Sequence, residues 1–265
     1  MSPDFSRYPA VKKSGGTIVA STNKTVFISG SARNIGRAIA LRLARDGFNI
    51  IVNGSRDRDA CERVAAEVKR AGVDAMVVMG NVGSSADVRA MAKNALERFG
   101  RVDALVNNAA IRPQKKLLEM SDDDWDQVIS VDLNGAFYLS RAFLPGMVDA
   151  GWGRIVNMAG MNAIHGYAGR APVSAAKHGV WGLTKALGKE FAPAGITTNV
   201  ISPGPIRPEE TDSEHAEHIR SQLSRIPVGR LGEASEIAAM VSLLCSAEGG
   251  FICSQMIAVN GGTET

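Results

Sequence analysis

Short apolar runs alternate along this chain with stretches whose apolar positions recur every third or fourth residue. KTVFIS at 24–29 ends at Gly30, and IGRAIALRLARDG at 35–47 follows with helical spacing. FNIIVNG reads as the next strand, and the segment from about Asp57 to Arg70 as an amphipathic helix closed by Gly72. The alternation continues through DAMVVMG, a helix near 85–99, VDALVNNA, a long helix near 124–149, GRIVNMAG, a helix near 174–191 and ITTNVISPG. A final helix from about Glu233 and a strand near QMIAV complete the series. This order predicts an α/β fold, a doubly wound parallel sheet of about seven strands with helices on both faces. Right-handed crossovers would place the early and late strands on opposite sides of the first and leave a crevice at the carboxyl edge.

Two stretches break the rhythm. Residues 1–24 contain turn formers and only short apolar runs, and read as an N-terminal arm. The segment at 205–232, PIRPEETDSEHAEHIRSQLSRIPVGRLG, reads as a substrate-loop insertion over the carboxyl edge. Residues 25–265 are expected to form a single dinucleotide-binding domain, because no Pro/Ser-rich linker divides them. The balance of 30 Lys+Arg against 27 Asp+Glu is small and scattered, which argues against nucleic acid or an anionic membrane as partner. No apolar run approaches the roughly 20 residues that span a bilayer, and no signal-peptide core opens the chain, so a cytoplasmic location is expected. Cys61, Cys245 and Cys253 form no CxxC and have no histidine at ligand spacing; they read as reduced packing residues, with no metal site expected.

The first strand-to-helix turn reads SGSARNIG. Gly30 would permit a tight turn, Gly36 a close approach of helix to sheet, and the helix N-terminus would present unpaired N–H groups to a pyrophosphate. A purely structural turn would use the same glycines; their place between a strand and an apolar-periodic helix favours the nucleotide.

Further motifs follow in fixed order: NNAA at 107–110, GRIVNMAG at 153–160, Lys177, SPGPI at 202–206 and VNGG at 259–262. On these the chain resembles the short-chain dehydrogenase/reductases from about Lys24 to Gly262, which implies a Rossmann-like fold. The family's Gly-x-x-x-Gly-x-Gly turn is met at Gly30 and Gly36 with Asn34 in place of the middle glycine, a residue that tolerates positive φ. The resemblance implies that Asn34 faces the pyrophosphate and Ile35 belongs to the cofactor site, that Asn81 and Val82 border the adenine, and that Asn108, Ala109 and Ala110 follow the ribose. Pro203, Gly204 and Ile206 would border the nicotinamide, and Lys177 would hold its ribose. Pro208 stands where the family usually has a hydroxyl. After the second strand, members that prefer NAD carry an acid; here Gly54, Ser55 and Arg56 stand there. Arg33 and Arg56 could clamp a 2′-phosphate, so NADP(H) is the expected cofactor and NAD(H) the alternative. The plainer reading is that both arginines face water.

The catalytic corner departs from the family. Its members transfer hydride with an Asn, a Ser, a Tyr and a Lys; the matching positions here are Asp132, Gly160, Val173 and Lys177. Valine carries no transferable proton and glycine no hydroxyl, so the usual proton path is closed, and Ser174 points about 100° away along its helix. Asp132 and Lys177 would titrate as a coupled pair, either as a structural ion pair or with Lys177 on the ribose and Asp132 moving protons. His165 and Tyr167, in MNAIHGYAGRAP, are candidate replacement proton groups or loop anchors. His178 is expected to face away, and His215 and His218 to belong to a lid. A rim of Arg112, Met161, Asn162, Arg170, Arg207, Glu209 and Glu210 suits a hydroxylated or carboxylated small molecule.

Three functions remain open from the residues: an NADP(H)-dependent oxidoreductase of a small carbonyl or alcohol with a non-standard proton donor, a non-redox lyase, dehydratase or isomerase on the same fold, and an inactive subunit. The resemblance also implies a homo-oligomer, dimer or tetramer, formed through the helices near 124–149 and 174–191. Phe137, Leu144, Trp181 and Leu187 are candidate interface positions, and core packing would explain them equally well.

Overall fold

Every residue of the first strand, β1 (Thr25–Ile28), is buried, as a strand covered on both faces requires. It lies inside one sheet, third from an edge, with β2 (Asn49–Gly54), β3 (Ala75–Met79), β4 (Ala104–Asn107), β5 (Gly153–Met158), β6 (Ile196–Pro203) and β7 (Met256–Val259). The order is β3-β2-β1-β4-β5-β6-β7 and all pairings are parallel. The computed structural model describes residues 23–209 and 223–263. Most of the N-terminal arm, and Glu210, His215 and His218 of the insertion, lie outside the described residues.

Helices α1 (Asn34–Arg45), α2 (Arg58–Arg70) and α3 (Ser85–Phe99) follow the first three strands. The Asp57 and Ser84 side chains cap α2 and α3 by accepting from Ala60 N and Asp87 N. One face of the sheet is sealed by Ile39 and Leu43 of α1, Val64 of α2 and Ile237 of a later helix (Ala234–Cys245). The other is sealed by Met91 of α3 with Leu139, Phe143 and Met147.

The expected long helix near 124–149 is present, running from Asp122 to Ala150, but it is not α-helical throughout. It divides into α4 (Asp122–Ile129), a π-helical turn (Ser130–Asn134) and α5 (Gly135–Ala150). A single widened turn leaves the apolar periodicity on either side nearly intact, so the pattern could not reveal it. At its end Gly135 sits so close to Val82 that a Cβ would come within 2.9 Å of Cγ2. Helix α6 (Ala171–Phe191) and α7 (Ala234–Cys245) complete the layers. Leu144 proves to be core, 6% exposed, whereas Phe137 is 41% exposed and Trp181 and Leu187 are half-buried. All three cysteines are free, Cys61 and Cys245 buried. Among the described residues no helix is long and apolar enough to cross a membrane.

Candidate active site

The topology brings the carboxyl ends of β1, β4, β5 and β6 to one edge, and the predicted site residues gather there. Gly30 has φ +62°, and a Cβ on it would lie 2.9 Å from Ala109 Cα, so the turn needs glycine for both conformation and contact. Asn34 also takes positive φ, 49°, as its sequence position suggests. The N-terminus of α1 has no side-chain cap and no acid in its first turn. Its free N–H groups and positive dipole end suit a pyrophosphate, and so the residues present fit a dinucleotide.

Several polar groups lock this turn. Ser29 Oγ accepts from Asn108 N at 2.9 Å and Ala109 N at 3.0 Å, while Asn108 Nδ2 donates to Ser29 O and Gly30 O at 3.0 and 2.9 Å. Asn53, buried at the end of β2, accepts from Gly30 N at 3.2 Å and donates to Val78 O and Gly80 O. Ser29 and Asn53 were not singled out from the sequence; a polar residue at the end of an otherwise apolar strand is the signal that marks them. Asn34 Oδ1 accepts from Glu209 N at 3.2 Å, tying the segment after β6 to the glycine turn. The Glu209 charge there is offset by Arg37 at 3.5 Å.

Arg33, Ser55 and Arg56 are exposed on the same edge, and neither arginine enters an ion pair among the described residues. Asn81 is exposed beside buried Val82; its backbone N–H donates to Asp87, and its side chain accepts from Gly83 N. Ala109, Ala110, Gly204 and Ile206 are half-buried. Ile206 bridges to Gly232, and Gly204 N donates to Val259 O at 3.0 Å, which fixes the backbone that follows buried Pro203.

In the catalytic corner Asp132, on the π-helical turn, places Oδ2 3.2 Å from Lys177 Nζ, and the side chains are 0% and 3% exposed. Asp132 Oδ1 accepts from Ile111 N at 2.8 Å, and Lys177 Nζ donates to Met158 O at 3.1 Å. Burial pushes the Lys177 amine below the ordinary lysine value; Asp132 opposes the shift and the Arg112 charge adds to it. A cavity of about 10 Å³ borders Asp132 and Asn107, enough for one water. Val173 is fully buried, and Gly160 has φ 91° and ψ 173°, a conformation essentially restricted to glycine. His165 and Tyr167 are exposed on the loop between Gly160 and α6, and Tyr167 N donates to Ser174 Oγ at 3.4 Å. His178 is exposed, away from the pair. The structure therefore brings Asp132 and Lys177 together in the interior, whereas His165 and Tyr167 are exposed.

A glycine turn between the first strand and an uncapped helix, in a doubly wound parallel sheet of seven strands, defines a Rossmann-like α/β protein. The family described as enoyl-(acyl carrier protein) reductase matches residues 30–264. A 3-oxoacyl-[acyl-carrier-protein] reductase FabG of Staphylococcus aureus is 38% identical over 239 residues, covering 90% of this chain and 97% of that protein. The reductase of the same description from Synechocystis is 36% identical, covering 92% and 98%. Among solved structures, a candidate gluconate dehydrogenase of Agrobacterium tumefaciens superposes with TM-score 0.84 at 31% identity, covering 93% and 98%. A candidate short-chain alcohol dehydrogenase of Sinorhizobium meliloti gives TM-score 0.86 at 29% identity with the same coverage. The chain belongs to the short-chain dehydrogenase/reductase superfamily.

Proposed function

We propose that the protein is an NADP(H)-dependent oxidoreductase of a small carbonyl or alcohol, working as a cytoplasmic homo-oligomer, whose proton donor lies on the Gly160–Arg170 loop. The observation that carries this reading is the phosphate-facing edge, where the uncapped N-terminus of α1 lies beside Arg33 and Arg56, both exposed and neither ion-paired among the described residues. Guanidinium geometry suits a 2′-phosphate, and the carboxylate that would favour a free ribose hydroxyl is missing at Gly54.

When bound, the nicotinamide supplies or takes the hydride. The chain must then move one proton: in reduction, to the substrate oxygen as the new C–H bond forms. Asp132 and Lys177 are enclosed, so they act through their field and by positioning, and not by contact with substrate. Tyr167 and His165 present an O–H and a ring N–H at the surface of the loop and take the donor role. The relatives named as 3-oxoacyl carrier-protein reductases make 3-oxoacyl thioesters the first carbonyls to try.

Calorimetric titration with NADPH and NADH tests the cofactor. Saturable binding, tighter for NADPH and weakened roughly ten- to a hundredfold by R33A or R56A, is the expected result for the loss of a charge-assisted hydrogen bond. No binding at millimolar cofactor would overturn the reading. A carbonyl screen with Y167F and H165Q tests the donor, which falls if both variants turn over at the wild-type rate. The observation that favours a second reading, a nucleotide-binding subunit without turnover, is that buried Val173 and the glycine-only backbone at Gly160 occupy the usual donor positions. NADPH binding without hydride transfer to any carbonyl of the screen would select it.

A further inference from the structure

We propose that Arg112 and Arg170 form an anion-binding pair at the mouth of the candidate active site, receiving a carboxylate or phosphate carried by the substrate. The proposal rests on the reading of this cleft as a substrate site.

The two residues come from segments that the backbone binds together. Arg112 follows Ile111, whose N–H donates to Asp132, so it leaves the sheet edge directly beside the buried pair. Arg170 immediately precedes α6, the helix that carries Val173 and Lys177. Lys115 N donates to Gly169 O at 2.9 Å, and a Cβ on Gly169 would lie 3.2 Å from Gln114 Cγ, so the 111–116 segment and the loop before α6 touch.

Neither guanidinium makes an ion pair or a side-chain hydrogen bond among the described residues, and the Arg170 charge disfavours that of Arg112. Arg112 keeps more than a third of its surface to solvent; the protein around it lowers its pKa, as does Arg170, while Asp132 works against that shift. An arginine stays protonated even so. Asp132 cannot neutralise both, because Oδ1 is taken by Ile111 and Oδ2 faces Lys177. The start of α6 adds positive potential, having no acid in its first turn and no side-chain cap. Two guanidiniums on touching segments beside an uncapped helix start, neither in an ion pair among the described residues, match the planar, bidentate demand of a carboxylate or a phosphate. The substrate would then carry its reacting carbonyl at one end and an anionic group at the other.

Protection from phenylglyoxal, quantified at each arginine by mass spectrometry on the full chain, tests this without requiring turnover. Oxalate or inorganic phosphate should slow modification of Arg112 and Arg170 several-fold, chloride at equal ionic strength should not, and exposed Arg63 should be unaffected by either. Whichever of oxalate and phosphate protects at lower concentration identifies the anion. R112Q should weaken the protection of Arg170. Equal protection by chloride, or none, would overturn the proposal. In the same experiment NADPH should protect Arg33 and Arg56; failure of that arm alone strikes the cofactor reading and leaves the anion pair standing.

Discussion

Asp132 and Lys177 face each other at 3.2 Å, from a π-helical turn and from α6, with both side chains shut away from solvent. Each also has a backbone partner, Ile111 N–H for the acid and Met158 C=O for the amine. The pair therefore joins the ends of β4 and β5 to the helical layer through side chains that each need the other. Carrying an acid at position 132 makes this a direct contact between opposite charges. Such a contact contributes little net stability over an apolar pair, but losing one member strands the other charge in the interior.

Asp132→Ala should accordingly lower the unfolding free energy by about 3–5 kcal/mol, the usual consequence of breaking a buried pair. The double variant D132L/K177M, which leaves no charge behind, should recover most of that loss. Urea denaturation of the three proteins checks this, and a D132A protein as stable as wild type would show that the pair is not closed in solution.

The depressed pKa of Lys177 gives a pH dependence of definite sign. Burial disfavours the ammonium in the folded protein, while the unfolded chain keeps the ordinary value of 10.5. Between the folded value and 10.5 the unfolded state binds more protons, so the unfolding free energy rises with pH. The penalty is in full force below the folded value and gone above 10.5. The stability difference between wild type and K177M should therefore shift in favour of wild type as pH is raised from 7 toward 10. A flat or opposite trend would mean that the Asp132 charge outweighs desolvation.

Adding a hydroxyl at position 160 and a phenol at position 173 should not by itself create turnover. Val173 is fully buried, and a tyrosine at that position must displace packed neighbours, at a cost of about 1–3 kcal/mol. Gly160 has open space around its missing Cβ, with only Pro203 O at 3.9 Å, yet its φ of 91° strains any serine by about 1–3 kcal/mol. G160S/V173Y should thus be less stable than wild type and should not gain turnover in proportion to the groups added. Thermal unfolding together with steady-state rates checks this; a stable variant with a large gain would show that the corner still holds the ordinary geometry.

How much of this could be read beforehand depends on the kind of signal. The parallel sheet was legible because buried strands such as NIIVNG and helices such as IGRAIALRLAR carry unmistakable periods, and the glycine turn because it falls between two of them. The π-helical turn at Ser130–Asn134 was not legible, since one widened turn barely disturbs the apolar spacing around it. Asn53 and Ser29 escaped notice because each lies within or just after an apolar strand, and their hydrogen bonds reach partners across the sheet. The backbone at Gly160 was likewise hidden, because absence of a side chain shows in the letters and a left-handed φ does not.

The end of β2 permits the last prediction. A Cβ on Gly54 would lie 2.5 Å from Cys61 Sγ, so the buried thiol occupies the room that an acidic side chain at position 54 would need. Gly54→Asp alone should lose about 1–3 kcal/mol of stability through overpacking. With C61A the collision is removed, and the carboxylate can then reach a free 2′-hydroxyl and repel a 2′-phosphate. Calorimetry on G54D/C61A should show the NADH-to-NADPH affinity ratio at least tenfold higher than in wild type, with most of the change in NADPH. A well-folded double variant with an unchanged ratio would place the adenosine ribose elsewhere and remove the charge argument for NADP(H). The reverse result would make Cys61, through the space it fills, a determinant of which dinucleotide this chain accepts.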